Sequence, residues 1–119
     1  MTVIRGKTTM DVFTEKYLHN AVKHAECTLS GNYKAGKIFA TAIEKMNHYI
    51  LNLEDQETAY NIISDIIDSN CANAIMWIAP ICAHKDYKIE IVRNMLLAYS
   101  GDNKLGILAL NAAMLLRTL

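Results

Sequence analysis

Apolar residues recur every three to four positions along nearly the whole chain, and the strict alternation that marks a half-buried strand is absent. The pattern predicts six helices. The first covers about 9–30, with Phe13, Tyr17, Leu18, Ala21, Val22, Ala25 and Leu29 on a broad stripe. The second, about 32–53, carries Ala35, Ile38, Phe39, Ala42, Ile43, Met46, Tyr49, Ile50 and Leu53 at helical spacing, and "SGNY" between the two reads as the turn of an antiparallel hairpin.

The third segment, about 56–68, begins at Asp55 as its cap and places Ala59, Ile62, Ile63, Ile66 and Ile67 on one side. At about 100° per residue, Glu57, Asn61, Ser64, Asp65 and Asp68 gather opposite. The β-branched isoleucines invite a strand, but the pairs Ile62-Ile63 and Ile66-Ile67 repeat every four residues, so a helix is expected.

The fourth is "SNCANAIMWIAPICAHKD", capped at Ser69 or Asn70 and running to about Ala83. Its helical angles set Asn73, Trp77, Pro80 and His84 apart from Ile75, Met76, Ala79 and Cys82, and Pro80 should kink or end it near Met76 or Trp77. Trp77 therefore points toward the polar stripe, where an indole either packs under a neighbouring helix or anchors a binding face. The fifth, about 87–99, turns Ile89, Val92, Met95, Leu96 and Tyr99 inward. The sixth, about 103–118, is apolar nearly all round, with Leu105, Leu108, Ala112 and Leu116 on one face and Ile107, Leu110 and Met114 opposite.

A shift of 33 residues superposes Ile62 on Met95, Ile63 on Leu96, Ile75 on Leu108 and Ala79 on Ala112. That spacing suits stacked helix pairs of an α-solenoid, and a plain helical bundle explains it as well. The fold expected is all-α, about six helices in antiparallel pairs, in one domain over residues 1–119, with 1–8 a flexible N-terminal segment.

Length and composition agree with one soluble domain. A chain of 119 residues, 52% apolar and 20% charged, buries roughly two thirds of its unfolded surface without a metal or disulfide. Three cysteines make no disulfide framework and "MTVIRGKTTM" lacks a secretory apolar core, which points to the cytoplasm. The uncharged run 71–83 is shorter than the roughly 20 residues that cross a bilayer, so no membrane association is expected.

Charge separates the classes of function. Net charge is zero, but residues 51–86 hold one lysine against six acids, while 1–50 hold seven basic residues against four acids. A neutral protein lacks the usual footprint of a nucleic-acid binder, and Lys34, Lys37, Lys45 and His48 have no aromatic residues interleaved with them on their face of the helix.

His24 and Cys27 would need two further ligands to hold a metal, and nothing local supplies them. Cys82 lies in an apolar run near a helix C-terminus, the wrong setting for a reactive thiolate. The acids of the third segment read as a solvated face or as a docking surface for a basic partner, since catalysis would need one carboxyl raised toward neutrality by burial. No catalytic residue, metal or cofactor is expected.

The stretches "SGNYKAGKIFATAIEKM" and "ANAIMWIAPICA" resemble a small HEAT-like, all-helical family of bacterial proteins, over roughly residues 12–119. Asn32 stands where that family favours an acid, and Pro80 interrupts a stretch usually rich in alanine. The resemblance implies a right-handed stack of helix pairs without catalytic residues. Such domains are in turn similar to immunity proteins of bacterial toxin systems, cytoplasmic inhibitors that bind a cognate toxin.

The function expected is occlusive binding of a basic toxin domain, such as a nuclease of a contact-dependent inhibition or related toxin system, by a monomer or weak homodimer. The expected face combines Glu57, Tyr60, Asn61, Asp65, Asp68, Trp77 and His84. The alternative is a structural or adaptor module that self-associates through the sixth helix.

Overall fold

A computed structural model describes residues 9–119, and the N-terminal segment 1–8 lies outside the described residues. Six α-helices follow in order: α1 (Thr9–Ser30), α2 (Tyr33–Asn52), α3 (Gln56–Asp68), α4 (Ala72–Lys85), α5 (Ile89–Ser100) and α6 (Ile107–Leu116). No strand occurs among the described residues, so the all-α expectation holds.

The hairpin of α1 and α2 closes where it was read. Gly31 takes a left-handed φ of 78°, and the Asn32 N–H reaches back to the Cys27 carbonyl at 2.9 Å. This is the Schellman arrangement that glycine permits at no steric cost. In α2 the fully buried residues are Gly36, Ile43 and Ile50, each seven residues from the next, a narrow seam of the kind that packs helices nearly antiparallel. An added Cβ at Gly36 would stand 3.3 Å from the Cys27 Cβ, so glycine sets how closely α1 and α2 approach.

The apolar stripes of the hairpin are wider than the surface the fold covers. Leu29, Ile38 and Tyr49, all expected inward, are exposed by 74%, 67% and 50%. A helix packed along one seam buries only the residues beside that seam, whatever the breadth of its apolar arc. By contrast, all five apolar residues of the α3 stripe, Ala59, Ile62, Ile63, Ile66 and Ile67, are buried.

α4 packs against all five other α-helices. Its small and branched residues Ala74, Ile75, Ile78, Ala79, Ile81 and Cys82 are buried, and burial pushes the Cys82 thiol up to about 12. Two expectations for this helix are corrected: its cap, and an end near Met76 or Trp77. Its cap is Cys71, with no side-chain hydrogen bond, because Ser69 closes α3 and Asn70 adopts a left-handed turn whose Oδ1 accepts from the Tyr99 hydroxyl at 2.6 Å. The helix also continues through Pro80 to Lys85.

A side chain from α2 supports that continuation. Proline has no N–H to offer the Met76 carbonyl and crowds the helical ladder one turn back. At the next carbonyl along, Trp77, the Asn47 amide donates from α2 at 3.1 Å. Asn47 Oδ1 in turn accepts from the fully buried Tyr17 hydroxyl on α1 at 2.7 Å. Burial raises the Tyr17 pKa well above its ordinary value, with the Asn47 bond opposing that shift in part, so the phenol stays neutral and donates.

The C-terminal part departs from the sequence reading at one point. Gly106, at φ 58° and ψ −125°, divides the expected 103–118 helix into a 3-10 turn (Asn103–Leu105) and α6. That backbone conformation favours glycine. Ala109 and Ala112 face the core, while Ile107, Leu110 and Met114 are exposed as the pattern anticipated.

The Tyr17–Asn47–Trp77 chain predicts an order of stabilities. Asn47→Ala leaves the buried Tyr17 hydroxyl without its acceptor and removes the bond to the Trp77 carbonyl, and should cost about 2–3 kcal/mol, whereas Tyr17→Phe should cost about 1 kcal/mol. Urea denaturation followed by Trp77 fluorescence measures both. In a Pro80→Ala background the restored helical N–H eases the ladder, so the cost of Asn47→Ala should fall, a coupling that a double-mutant cycle reads directly.

Candidate functional site

Two surfaces carry the polar and aromatic residues singled out in the sequence. The first is the outer face of α3. Asp55 caps it, accepting from the Thr58 hydroxyl at 2.7 Å and from the Glu57 N–H at 3.1 Å. The Thr58 bond is the main reason its pKa lies below the ordinary carboxylate value. Glu57 stands exposed in the first turn, where the positive end of the helix dipole favours an acid. Asn61 is exposed one turn further on.

Asp65 and Asp68 sit at the opposite end. There the unpaired carbonyls give the helix its negative pole, and the last turn of α3 contains no basic residue to offset them. Asp68 is exposed and Asp65 half-buried. The Asp65 pKa is raised, first by partial burial and then by the negative charges of Asp11 on α1 and Asp68. Both the helix dipole and neighbouring charge oppose ionisation at this spot.

Tyr60 has one ring face covered. It stacks on Tyr87 with centroids 4.1 Å apart and planes 8° from parallel, and the Tyr87 hydroxyl lies 2.9 Å from Ser64 Oγ. Tyr87 occupies a turn whose flanking residues, Asp86 and Lys88, both have positive φ. The ring pair thus fastens the α4–α5 connection to α3. His84 is exposed at the far end of α4, where its neighbour Lys85 donates to Gln56 Oε1 at 2.9 Å.

The second surface surrounds Trp77. The indole is half-buried, and the His24 ring of α1 meets it edge-on at 5.3 Å and 85°. The intramolecular cover foreseen for Trp77 is therefore partial. On one side lies a cleft of about 480 Å³ between α1 and the Lys104–Asn111 segment. On the other is a more open trough of about 620 Å³, reaching Pro80 and Met114. Met76, Trp77 and Asn111 belong to both, and none of the α3 residues lines either one. Of the seven residues expected to form one face, the α3 group and Trp77 thus border different features of the surface.

Sequence reasoning missed Asn47 and Lys104. Asn47 had a signal, a polar residue one turn from Ile43 and three residues before Ile50 on an otherwise apolar face. Lys104 had none, because its place beside α1 depends on the turn at Gly106.

Among the described residues no three of His, Cys, Asp or Glu gather as metal ligands, and no helix is long and apolar enough to cross a membrane. His24 faces Trp77 and Cys27 faces Gly36, so this pair takes part in helix packing.

The raised Asp65 pKa has a definite sign in stability. Its contribution is most favourable below the ordinary value of 3.8, where the carboxyl is protonated, and is lost as pH rises through the higher folded-state value. Asp65→Asn should therefore raise the urea midpoint at pH 7 and give no gain near pH 3.5. Equal midpoints for the two proteins at pH 7 would contradict the assignment. No protein family, curated protein or solved structure matches this chain.

Proposed function

We propose that this is a protein-interaction domain that works by occlusive binding, most concretely a cytoplasmic immunity protein that blocks a basic toxin domain such as a bacterial nuclease. The observation that supports the reading is the C-terminal end of α3, where Asp68 stands exposed in a last turn without a basic residue and where partial burial and the charges of Asp11 and Asp68 disfavour the ionised form of Asp65. Residues kept at a cost to stability are characteristic of surfaces that serve a partner. A cationic partner would neutralise that field, and opposite charge speeds association with a basic cleft.

The HEAT-like stack belongs to the same proposal. Successive helices pack in contacting pairs, as repeats require, and the 33-residue offset matches buried Ile63 with buried Leu96 and buried Ala79 with buried Ala112. Glu57, Asn61, Asp65 and Asp68 form the docking face, and Tyr60, held by its stack on Tyr87, gives it a rigid aromatic rim. His84, beside the Lys85 that bonds Gln56 at the start of α3, extends this face onto α4, while Trp77 borders the separate clefts.

Affinity capture from the source organism, followed by mass spectrometry, identifies the ligand, and a basic toxin domain is expected. With that domain in hand, Asp65→Lys combined with Asp68→Lys should weaken binding by about tenfold or more and flatten its salt dependence. Calorimetry at two salt concentrations reads both effects. Unchanged affinity in the double variant would falsify electrostatic docking through α3.

One observation favours a second reading, a self-associating adaptor. Ile107, Leu110 and Met114 of α6, three and four residues apart, are exposed by 53%, 65% and 65%, and Leu97 of α5 by 63%. Sedimentation velocity across a hundredfold range of concentration, on the order of micromolar and above, should show a dimer that Leu110→Glu removes if this face pairs. A monomer at every concentration rejects it.

A further inference from the structure

The cleft beside Trp77 is distinct from the acidic face of α3, and its walls have a chemistry of their own. α1 and α6 each pack on α4, and the space between them is floored by Met76 and Trp77. Its volume of about 480 Å³ falls within the roughly 300–1,000 Å³ typical of small-molecule sites, which often form between the helices of bundles. Ala25 and Leu108 line it with apolar surface, and the small side chains of Ala25 and the buried Ala21 behind it leave the room that larger residues would fill.

The polar groups at this cleft favour one sign of charge. None of its lining residues is acidic, and Lys104 supplies a cation. Asp102, the nearby acid in sequence, is not among the lining residues and uses its carboxylate to accept from the Lys104 backbone N–H at 3.0 Å. The amides of Asn73 and Asn111 add neutral donors. Gly106 and Ile107 also line the cleft, and because the cap of α6 is a glycine, no side chain accepts from the first N–H groups of that helix.

We propose that this cleft binds a small apolar carboxylate, with its hydrocarbon part against Met76, Trp77 and Leu108 and its carboxylate toward Lys104. The apolar walls reward burial of a chain or ring. The cation and amide donors reward a single anionic head, and a carboxylate paired with an ammonium is a charge-assisted bond. A neutral hydrocarbon leaves the donors unused, and a cation meets Lys104.

The chain's only tryptophan is in the wall, so the test has a built-in reporter. Titration with decanoate below its micellar range, and separately with 3-phenylpropanoate, is followed by Trp77 emission and calorimetry, with far-UV circular dichroism confirming that the fold persists. The expected result is saturable one-to-one binding of at least one of the two acids. Its neutral counterpart, decanol or 3-phenylpropanol, should bind about tenfold or more weaker, and Lys104→Gln should produce a similar loss. Ala25→Phe, which fills the cleft, should abolish binding.

Absence of a saturable response to both acids overturns the proposal. Equal affinity for acid and alcohol, or no effect of Lys104→Gln, reduces the cleft to an unspecific apolar sink and overturns it as well. Saturation that survives Ala25→Phe places binding elsewhere and does the same. None of these variants touches the α3 acids, so the outcome is independent of the toxin-binding reading.

Discussion

The fold depends on a polar contact inside an apolar interface. α4 meets every other helix, yet its ladder contains a proline, which denies the Met76 carbonyl its helical partner, and a lost ladder bond in a central helix is costly. Asn47 reaches across from α2 to the Trp77 carbonyl and is itself held by the Tyr17 hydroxyl of α1. The same two hydrogen bonds fix the position of the N-terminal hairpin against α4. Oil-like packing tolerates sliding by a turn, whereas a donor and an acceptor in fixed directions do not.

Once the hairpin and α4 are fixed, the two candidate surfaces follow. Trp77 offers its carbonyl to Asn47 and its ring to His24 and the adjoining clefts, so one residue belongs to both the structural core and an accessible wall. α6 completes the cleft because Gly106 lets the chain turn before the helix begins. On α3 the isoleucine face is wholly buried, and the acids opposite it are left to solvent and to one another. The domain thus presents an acidic ridge on one helix and an apolar recess with a cation beside another.

Aromatic pairs act chiefly as fasteners between elements. The nearly parallel Tyr60–Tyr87 stack pins the α4–α5 turn to α3, and the Tyr99–Asn70 hydrogen bond ties α5 to the α3–α4 turn. Both of these turns contain non-glycine residues at positive φ, Asp86 and Lys88 in one and Asn70 in the other. Such conformations each cost on the order of 1 kcal/mol for an L-residue and persist where tertiary contacts hold them.

Helical periodicity determined the first five segments and the division of α3 into isoleucine and acid faces, because those follow from spacing within one helix, and the glycine of "SGNY" marked the hairpin turn. Periodicity overstated burial at Leu29, Ile38 and Tyr49, since the breadth of a stripe does not say how much of it a neighbour covers. The reading that Pro80 could end α4 near Met76 or Trp77 missed the Asn47 amide, which bonds the Trp77 carbonyl from 30 residues away on α2. The acids of the candidate face were legible as residues. Their unfavourable setting was only partly so, since the helix end can be read along the chain but the approach of Asp11 cannot. The cleft beside Trp77 was beyond reach for the same reason: its walls come from three separate stretches of chain, and only the packing of α1 and α6 on α4 brings an alanine pair, an indole and Lys104 around one space.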